Sequence, residues 1–307
     1  MSGVRAQPLH MWLPALAKFE RTHPLLARLV RADRLADGAV GYLAGLGDYF
    51  HGVDASLPAA ALTRQCLAGD AAGAAWLSAD PAWVQPDMNG ARLLACGQLQ
   101  LTMQDAAQLA GALTPVFDEA GIRLHVSTPD RWHLQLPLDT PLPAFAPPEQ
   151  ALGEDLSQHL PAGAQGRRWR LLLNDIQVLL HQHPLNAQRR ANGLAPVNSL
   201  WLWGGGSLPD ALPSDLEGVI SDDLLLHALA KHAGVSHSAR STDAVAHAGA
   251  GWLIDLQDLP ADDIAERWWP TLQALLQRHT VVLHFASGER WRRAPWHRWR
   301  VWRGRGA

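Results

Sequence analysis

The chain has 307 residues, 48% hydrophobic and 18% charged, which excludes a disordered polymer and leaves room for two domains with cores of their own. A formal charge of −3 excludes a wholly basic nucleic-acid binder; such a role would need a local patch. The two cysteines, Cys66 and Cys96, lack Cys-x-x-Cys spacing and read as reduced, buried thiols.

Along the chain, His10–Leu16 reads as an opening strand. Thr22 reads as an N-cap with Pro24 in the first turn of a helix carrying Leu25, Leu26, Leu29, Val30 and Leu35, stopped by Gly38. A second helix is expected over about Pro58–Ala68. From Ala74 the texture changes to short strands, Trp76-Leu77, Trp83-Val84 and Leu93-Leu94, with a turn at Asn89-Gly90. Thr102 with Asp105 forms a capping-box pattern that opens a helix to about Glu119. Ile122, Leu124 and Val126 then face Trp132, Leu134 and Leu136 across a Ser127–Asp130 turn, a hairpin pattern.

Leu138–Pro148 is proline-rich and reads as a linker. Gln165–His183 carries an apolar stripe of Trp169, Leu172, Leu173, Ile176, Leu179 and Leu180, as a packed helix does. A strand over Asn198–Trp203 runs into Gly204-Gly205-Gly206. A helix at Asp222–His232, a strand at Trp252–Leu256, helical structure from Ala261 to Gln277 broken near Pro270, and a strand at Thr280–Phe285 follow. The alternation of strands and helices predicts an α/β core. No run of about 18 apolar residues is present, so no membrane span is expected, and the opening residues lack a signal-peptide pattern. A cytoplasmic protein is the expectation. The 14 tryptophans are expected mostly in cores.

His183-Pro184-Leu185-Asn186-Ala187-Gln188-Arg189, then Gly193, Pro196, Asn198 and Ser199–Gly206, form a distinctive segment. It resembles the archaeal-type, cofactor-independent phosphoglycerate mutases of the alkaline phosphatase superfamily. Thr22–Leu25 and the Ala79-Asp80 to Met88-Asn89 stretch are similar to that family too. The chain is similar, more closely, to bacterial regulatory proteins of the RpfE type, through Trp76-Leu77-x-Ala79-Asp80-Pro81, Pro129-Asp130-Arg131-Trp132 and Asn198-Ser199-Leu200-Trp201. The resemblance implies an alkaline-phosphatase-like core sheet with helices on both faces, built from about residues 1–72 and 198–307, and an inserted α+β domain over about 73–197. Trp201 and Leu253 are expected on one shared core sheet.

The resemblance also implies two divalent metals and a serine nucleophile. The matching ligand positions depart from the family. Leu13-Pro14-Ala15-Leu16 has no carboxylate, and the stretch after Val281–Phe285 keeps His284 and Glu289 at the wrong spacing for Asp-x-x-Gly-His. His181 and His183, two apart, do not make a helical metal pair. No metal ligand and no cofactor are assigned; a manganese or zinc site is the alternative. Ser207 and Thr63 are the weak nucleophile candidates, without a confident catalytic residue.

Asn186, Arg189, Asn198, Gly204 and Gly206 are the expected ligand-binding residues. Arginine forks onto phosphate oxygens, and a glycine-rich turn can present backbone N–H groups to an anion. The structural alternatives are a helix cap for Asn186, an ion pair for Arg189 and close packing for the glycines. The Arg290–Arg303 tail alternates Arg and Trp and reads as two edge strands in preference to a nucleic-acid surface. The reading is a non-catalytic, mutase-like binding or regulatory protein holding a small anionic, phosphorylated ligand in the cleft between domains. A protein partner is open, and neither nucleic acid nor membrane is expected. The alternative is a divergent metal-dependent phosphomutase or phosphatase with relocated ligands.

Overall fold

The computed structural model describes residues 7–300 apart from Ala55 and Asn89. The expected Asn89-Gly90 turn and the tail beyond Arg300 therefore lie partly outside the described residues. In chain order the strands are β1 (Leu9–Leu13), β2 (Asp33–Arg34), β3 (Ala75–Asp87), β4 (Gly90–Cys96), β5 (Arg123–Val126), β6 (Trp132–Leu136), β7 (Ser199–Ser207), β8 (Gly218–Ile220), β9 (Ser236–Ser238), β10 (Trp252–Asp255), β11 (Val281–Phe285) and β12 (Arg290–Arg293). The protein is a mixed α/β chain of two compact units, Met1–Ala55 with Ala211–Ala307, and Ser56–Asp210.

Unit 1 carries a sheet in the order β2-β12-β11-β1-β10-β8-β9. The strands from β11 to β9 run parallel, and β12 and β2 close the other end antiparallel. Parallel strands need both faces covered. Leu9, Met11 and Leu13 point to one face, where they join a core with Trp268, Leu272, Leu275 and Leu276 around helix Trp269–Arg278. Trp12 belongs to the other face, where it meets Tyr42 and Tyr49. Helices thus lie on both faces, as expected. The helical break expected near Pro270 is a π-helical turn, Ile264–Trp268, with Pro270 in the first turn of the helix that follows.

Unit 2 carries an antiparallel sheet in the order β4-β3-β6-β5, with β7 also paired to β3. The separate short strands expected from Trp76 to Val84 are one 13-residue strand, β3. Helices Met103–Glu119 and Gly163–Gln182 pack on one face through Leu109, Leu113, Phe117, Trp169, Leu173 and Ile176. The capping box is formed: Thr102 Oγ1 accepts the Asp105 N–H, and Asp105 accepts the Thr102 N–H. The hairpin is also formed, with Leu124 opposite Leu134.

Several expectations are corrected. Trp201 and Leu253 lie in different sheets, because β7 pairs along β3 from Ala75↔Ser207 to Ala82↔Ser199 while β10 pairs with β1. The units accordingly divide at 55/56 and 210/211, not at 72/73 and 197/198. The long helix expected after Thr22 is one turn, Leu26–Leu29, because Asp33-Arg34 is drawn out as β2 against Arg292 and Trp291. Among the described residues, the Arg/Trp tail makes one strand, β12, followed by a 3-10 turn, Pro295–Trp299, and β12 lies inside the sheet because β2 covers its outer side.

Candidate functional site

Ligands of open parallel sheets are held where the strands end at their carboxyl termini and the loops diverge. In unit 1 β10 ends on Asp255, in register with Trp12. Ser221, just past β8, donates its hydroxyl to Asp255 Oδ2 at 2.7 Å. The Ser221 hydroxyl oxygen in turn accepts the N–H of Asp223, which caps helix Leu224–His232 by accepting from Leu226. Tyr42 donates its phenol to Asp223 Oδ1 and stacks on Trp12, with ring centroids 5.5 Å apart. Burial pushes the Asp255 carboxyl up to about 7 against the pull of the Ser221 hydrogen bond, and the Asp223 and Asp258 charges add to the rise. Arg240 forks onto Asp258 at 2.7 and 2.9 Å.

β11 contributes His284, whose Nε2 lies 3.1 Å from His10 Nδ1. Tyr49 packs against both rings. Burial lowers the two imidazoles, His10 to about 4 and His284 to about 3, with the nearby Arg290 charge acting in the same direction. Both are therefore neutral near pH 7. Past β11, Ser287 donates to Glu289 and accepts the Leu16 N–H at 2.9 Å. The strand ends thus tie to one another.

A pair of divalent metals needs several carboxylates and imidazoles aimed at a common point. Among the described residues no three His, Cys, Asp or Glu side chains converge in that way. The residues present do not fit the two-metal centre that the resemblance implies.

The sequence-predicted residues lie in unit 2, and most are engaged by its own backbone. Asn186 is buried; it donates to the carbonyls of Leu180 and Val197 and accepts the Val197 N–H. Arg189 donates to the carbonyls of Ala195, at 2.9 Å, and Leu99, at 2.5 Å. Its partners are carbonyls, where the structural alternative expected a carboxylate. Asn198 bridges both backbone groups of Val84 and borders a cavity of about 520 Å³ lined also by Leu173, Gln177 and Trp201. Gly204 and Gly206 make no anion-binding turn; they stay in β7. A Cβ on Gly204 would stand 2.8 Å from Ala59 Cβ, and one on Gly206 would stand 2.8 Å from Pro58 Cβ. Close packing is what these glycines permit. Ser207 ends β7 on the surface.

Thr63 is fully buried on helix Ala59–Ala68. Its hydroxyl donates to Ala59 O at 2.7 Å, so it accepts from His133 Nε2 at 3.0 Å. His133 Nδ1 then accepts from Ser127, 2.8 Å away, which is also bonded by Arg64. With its Nε2 proton committed to Thr63, His133 cannot take a proton from that hydroxyl. Burial lowers the imidazole to about 3, helped by the charges of Arg131 and Arg64.

Three conspicuous sequence segments meet beside this network. Asp80 on β3 accepts the Trp203 indole N–H at 2.8 Å and faces Arg131 at 3.0 Å, and the Arg131 guanidinium lies over the Trp203 ring, 4.9 Å from its centroid. Burial raises the Asp80 carboxyl, opposed first by Arg131 and then by Trp203. No motif in the sequence marks Asp255, Ser221 or Tyr42. An aspartate closing the apolar run Trp252–Ile254 was the available signal for the first.

No family model matches the chain. It is 31% identical over 109 residues to the 2,3-bisphosphoglycerate-independent phosphoglycerate mutase of Methanothrix thermoacetophila, covering 36% of this chain and 27% of that protein. It is 40% identical over 63 residues to the probable enzyme of that name from Geobacter sulfurreducens, 20% of this chain and 16% of the relative. The Methanosarcina barkeri enzyme is 36% identical over 67 residues, 22% of this chain and 17% of the relative. The matches span about a quarter of these relatives or less. Among solved structures, the cofactor-independent phosphoglycerate mutase of Thermoplasma acidophilum aligns over 94% of this chain and 89% of its own, with 14% identity and a TM-score of 0.41. The PH0037 protein of Pyrococcus horikoshii aligns over 92% and 82%, with 13% identity and a TM-score of 0.45.

Proposed function

We propose that this chain, whose sequence relatives are cofactor-independent phosphoglycerate mutases, is a non-catalytic member of that lineage with a binding or regulatory role. The observation that carries the reading is the state of the strand ends in unit 1. Ser221 is bonded to Asp255, Tyr42 to Asp223, His10 to His284 and Ser287 to Glu289. A two-metal phosphoryl transfer needs such groups turned to a shared centre, because the metals clamp one phosphoryl group about 3.5–4 Å apart. Here the groups are bonded to one another in pairs, with His284 Nδ1 and the Tyr49 hydroxyl left buried without a hydrogen-bond partner among the described residues.

The test is metal analysis of dialysed protein, followed by mutase and phosphatase assays with added manganese or zinc. The expected result is no stoichiometric metal and no turnover. One or two bound metals with phosphoglycerate turnover would overturn the reading. A second reading, a divergent phosphoryl-transfer enzyme, is favoured by one observation, the hydroxyl of Ser221 held 2.7 Å from a carboxylate poised at about 7. It would require turnover that Ser221→Ala abolishes. Neither reading involves a membrane span, and no helix among the described residues is long and apolar enough to cross one.

A further inference from the structure

Unit 1 holds a pocket of about 470 Å³ walled by Arg28, Arg31, Arg293 and Arg298, with Pro24 and Trp269 among its other lining residues. No aspartate or glutamate lines it. The neighbouring carboxylate, Asp33, is engaged by Arg292, Arg300 and His297. Among the described residues none of the four pocket arginines makes an ion pair. Arg31 donates to the Arg298 carbonyl at 3.1 Å, Arg28 lies over the Trp269 ring, and Arg293 donates to the adjacent Ala294 carbonyl.

Arg293 is the informative member. It is 6% exposed, and a buried guanidinium without a counter-charge is costly. Burial, followed by the charges of Arg28, Arg31, Arg300 and Arg298, pulls its pKa down. Four guanidiniums around one hollow repel one another, and a multiply charged anion would turn that repulsion into attraction. Arginine's planar fork suits phosphate oxygens in two-point geometry.

We propose that this pocket binds a small molecule bearing at least two phosphate charges. The volume suits a small ligand. A nucleic-acid strand would instead need an extended basic track with free aromatic faces. Trp296 and Trp299, 62% and 67% exposed, are the residues such a strand would use, and they do not line the pocket. The site lies wholly within unit 1 and does not rest on the non-catalytic reading.

The experiment titrates the full chain calorimetrically with inorganic pyrophosphate and, separately, with oligothymidylates of increasing length at low salt. The variants are Arg28→Ala, Arg298→Ala, Arg293→Gln and the pair Trp296→Ala with Trp299→Ala. Expected is saturable pyrophosphate binding at one per chain, weakened about tenfold or more by Arg28→Ala and by Arg298→Ala. The tryptophan pair should leave it unchanged. Arg28 and Arg298 reach solvent, so the test survives if Arg293→Gln fails to fold. Absence of saturable pyrophosphate binding, or equal affinity in the Arg28 and Arg298 variants, overturns the proposal. So does oligothymidylate binding that tightens with length and is lost with the tryptophans while pyrophosphate fails to compete. Phosphoglycerate turnover would sink the non-catalytic reading and leave this result standing.

Discussion

The Trp203 indole N–H on β7 and the Asp80 carboxylate on β3 meet at 2.8 Å inside unit 2, and Arg131 completes the cluster from the segment leading into β6. Two strands and the turn before a third are thereby pinned by one buried charge and its two partners.

Removing Arg131 leaves that carboxylate buried without its cation. Arg131→Ala should cost about 3–5 kcal/mol, the range for breaking a buried pair from one side. Asp80→Asn with Arg131→Ala should recover part of the loss, since no charge is then stranded. Urea unfolding of the two variants checks this; a double variant no better than the single would remove Asp80 as the cause.

Asp255 gives a pH dependence with a definite sign. Its folded pKa, about 7, stands above the unfolded value near 3.8, so the folded state binds the extra proton. The stability it contributes is present below about pH 4 and is lost as pH rises through 7. Asp255→Asn should therefore gain on wild type between pH 5 and pH 8. Denaturant midpoints at the two pH values measure it, and an equal offset at both would contradict the assignment.

The imidazoles act in the opposite sense. His10, His133 and His284 have folded pKa values of about 4, 3 and 3, below the unfolded value of 6.5. Their stability is present above pH 6.5 and is lost as pH falls toward those values. Nitrogen-detected NMR should show all three neutral from pH 7.5 down to 5.5, and a midpoint near 6.5 for any would place that ring in water.

At Gly204, φ is +62° and an added Cβ would meet the Ala59 Cβ at 2.8 Å. Gly204→Ala should destabilise by about 1–3 kcal/mol through overpacking, with further strain from the positive φ. Gly193→Ala, at φ +72° with open space around it, isolates the backbone cost alone. Thermal unfolding of the pair separates the two contributions.

The local signals in the sequence reached the structure almost intact. Thr102 with Asp105 announced a cap that is formed, and the alternation around Ser127–Asp130 announced a hairpin that is formed. Allegiance was harder. The apolar run Leu200–Trp203 says that a strand is buried, but not which sheet buries it, because both faces of either sheet are covered. Leu25, Leu29 and Leu35 have helical spacing, yet the pairing of Asp33 with Arg292 comes from 259 residues away and wins. Arg189 shows the same limit at a site. Its charge suggests an anion, while the two carbonyls that hold it, at Leu99 and Ala195, leave no trace in a local window.

β1 lies between β10 and β11, and both of those strands are translated more than 230 residues after it. On the ribosome, Leu9–Leu13 has neither neighbour until synthesis has passed Asp255, and it lacks the second until synthesis has passed Phe285. Unit 2 is continuous in sequence and can close once β7 emerges; the sheet of unit 1 must wait with an apolar strand open on both edges. Such a segment is a natural client for a holding chaperone, and overexpression that outruns that protection should drive this chain into aggregates seeded by β1.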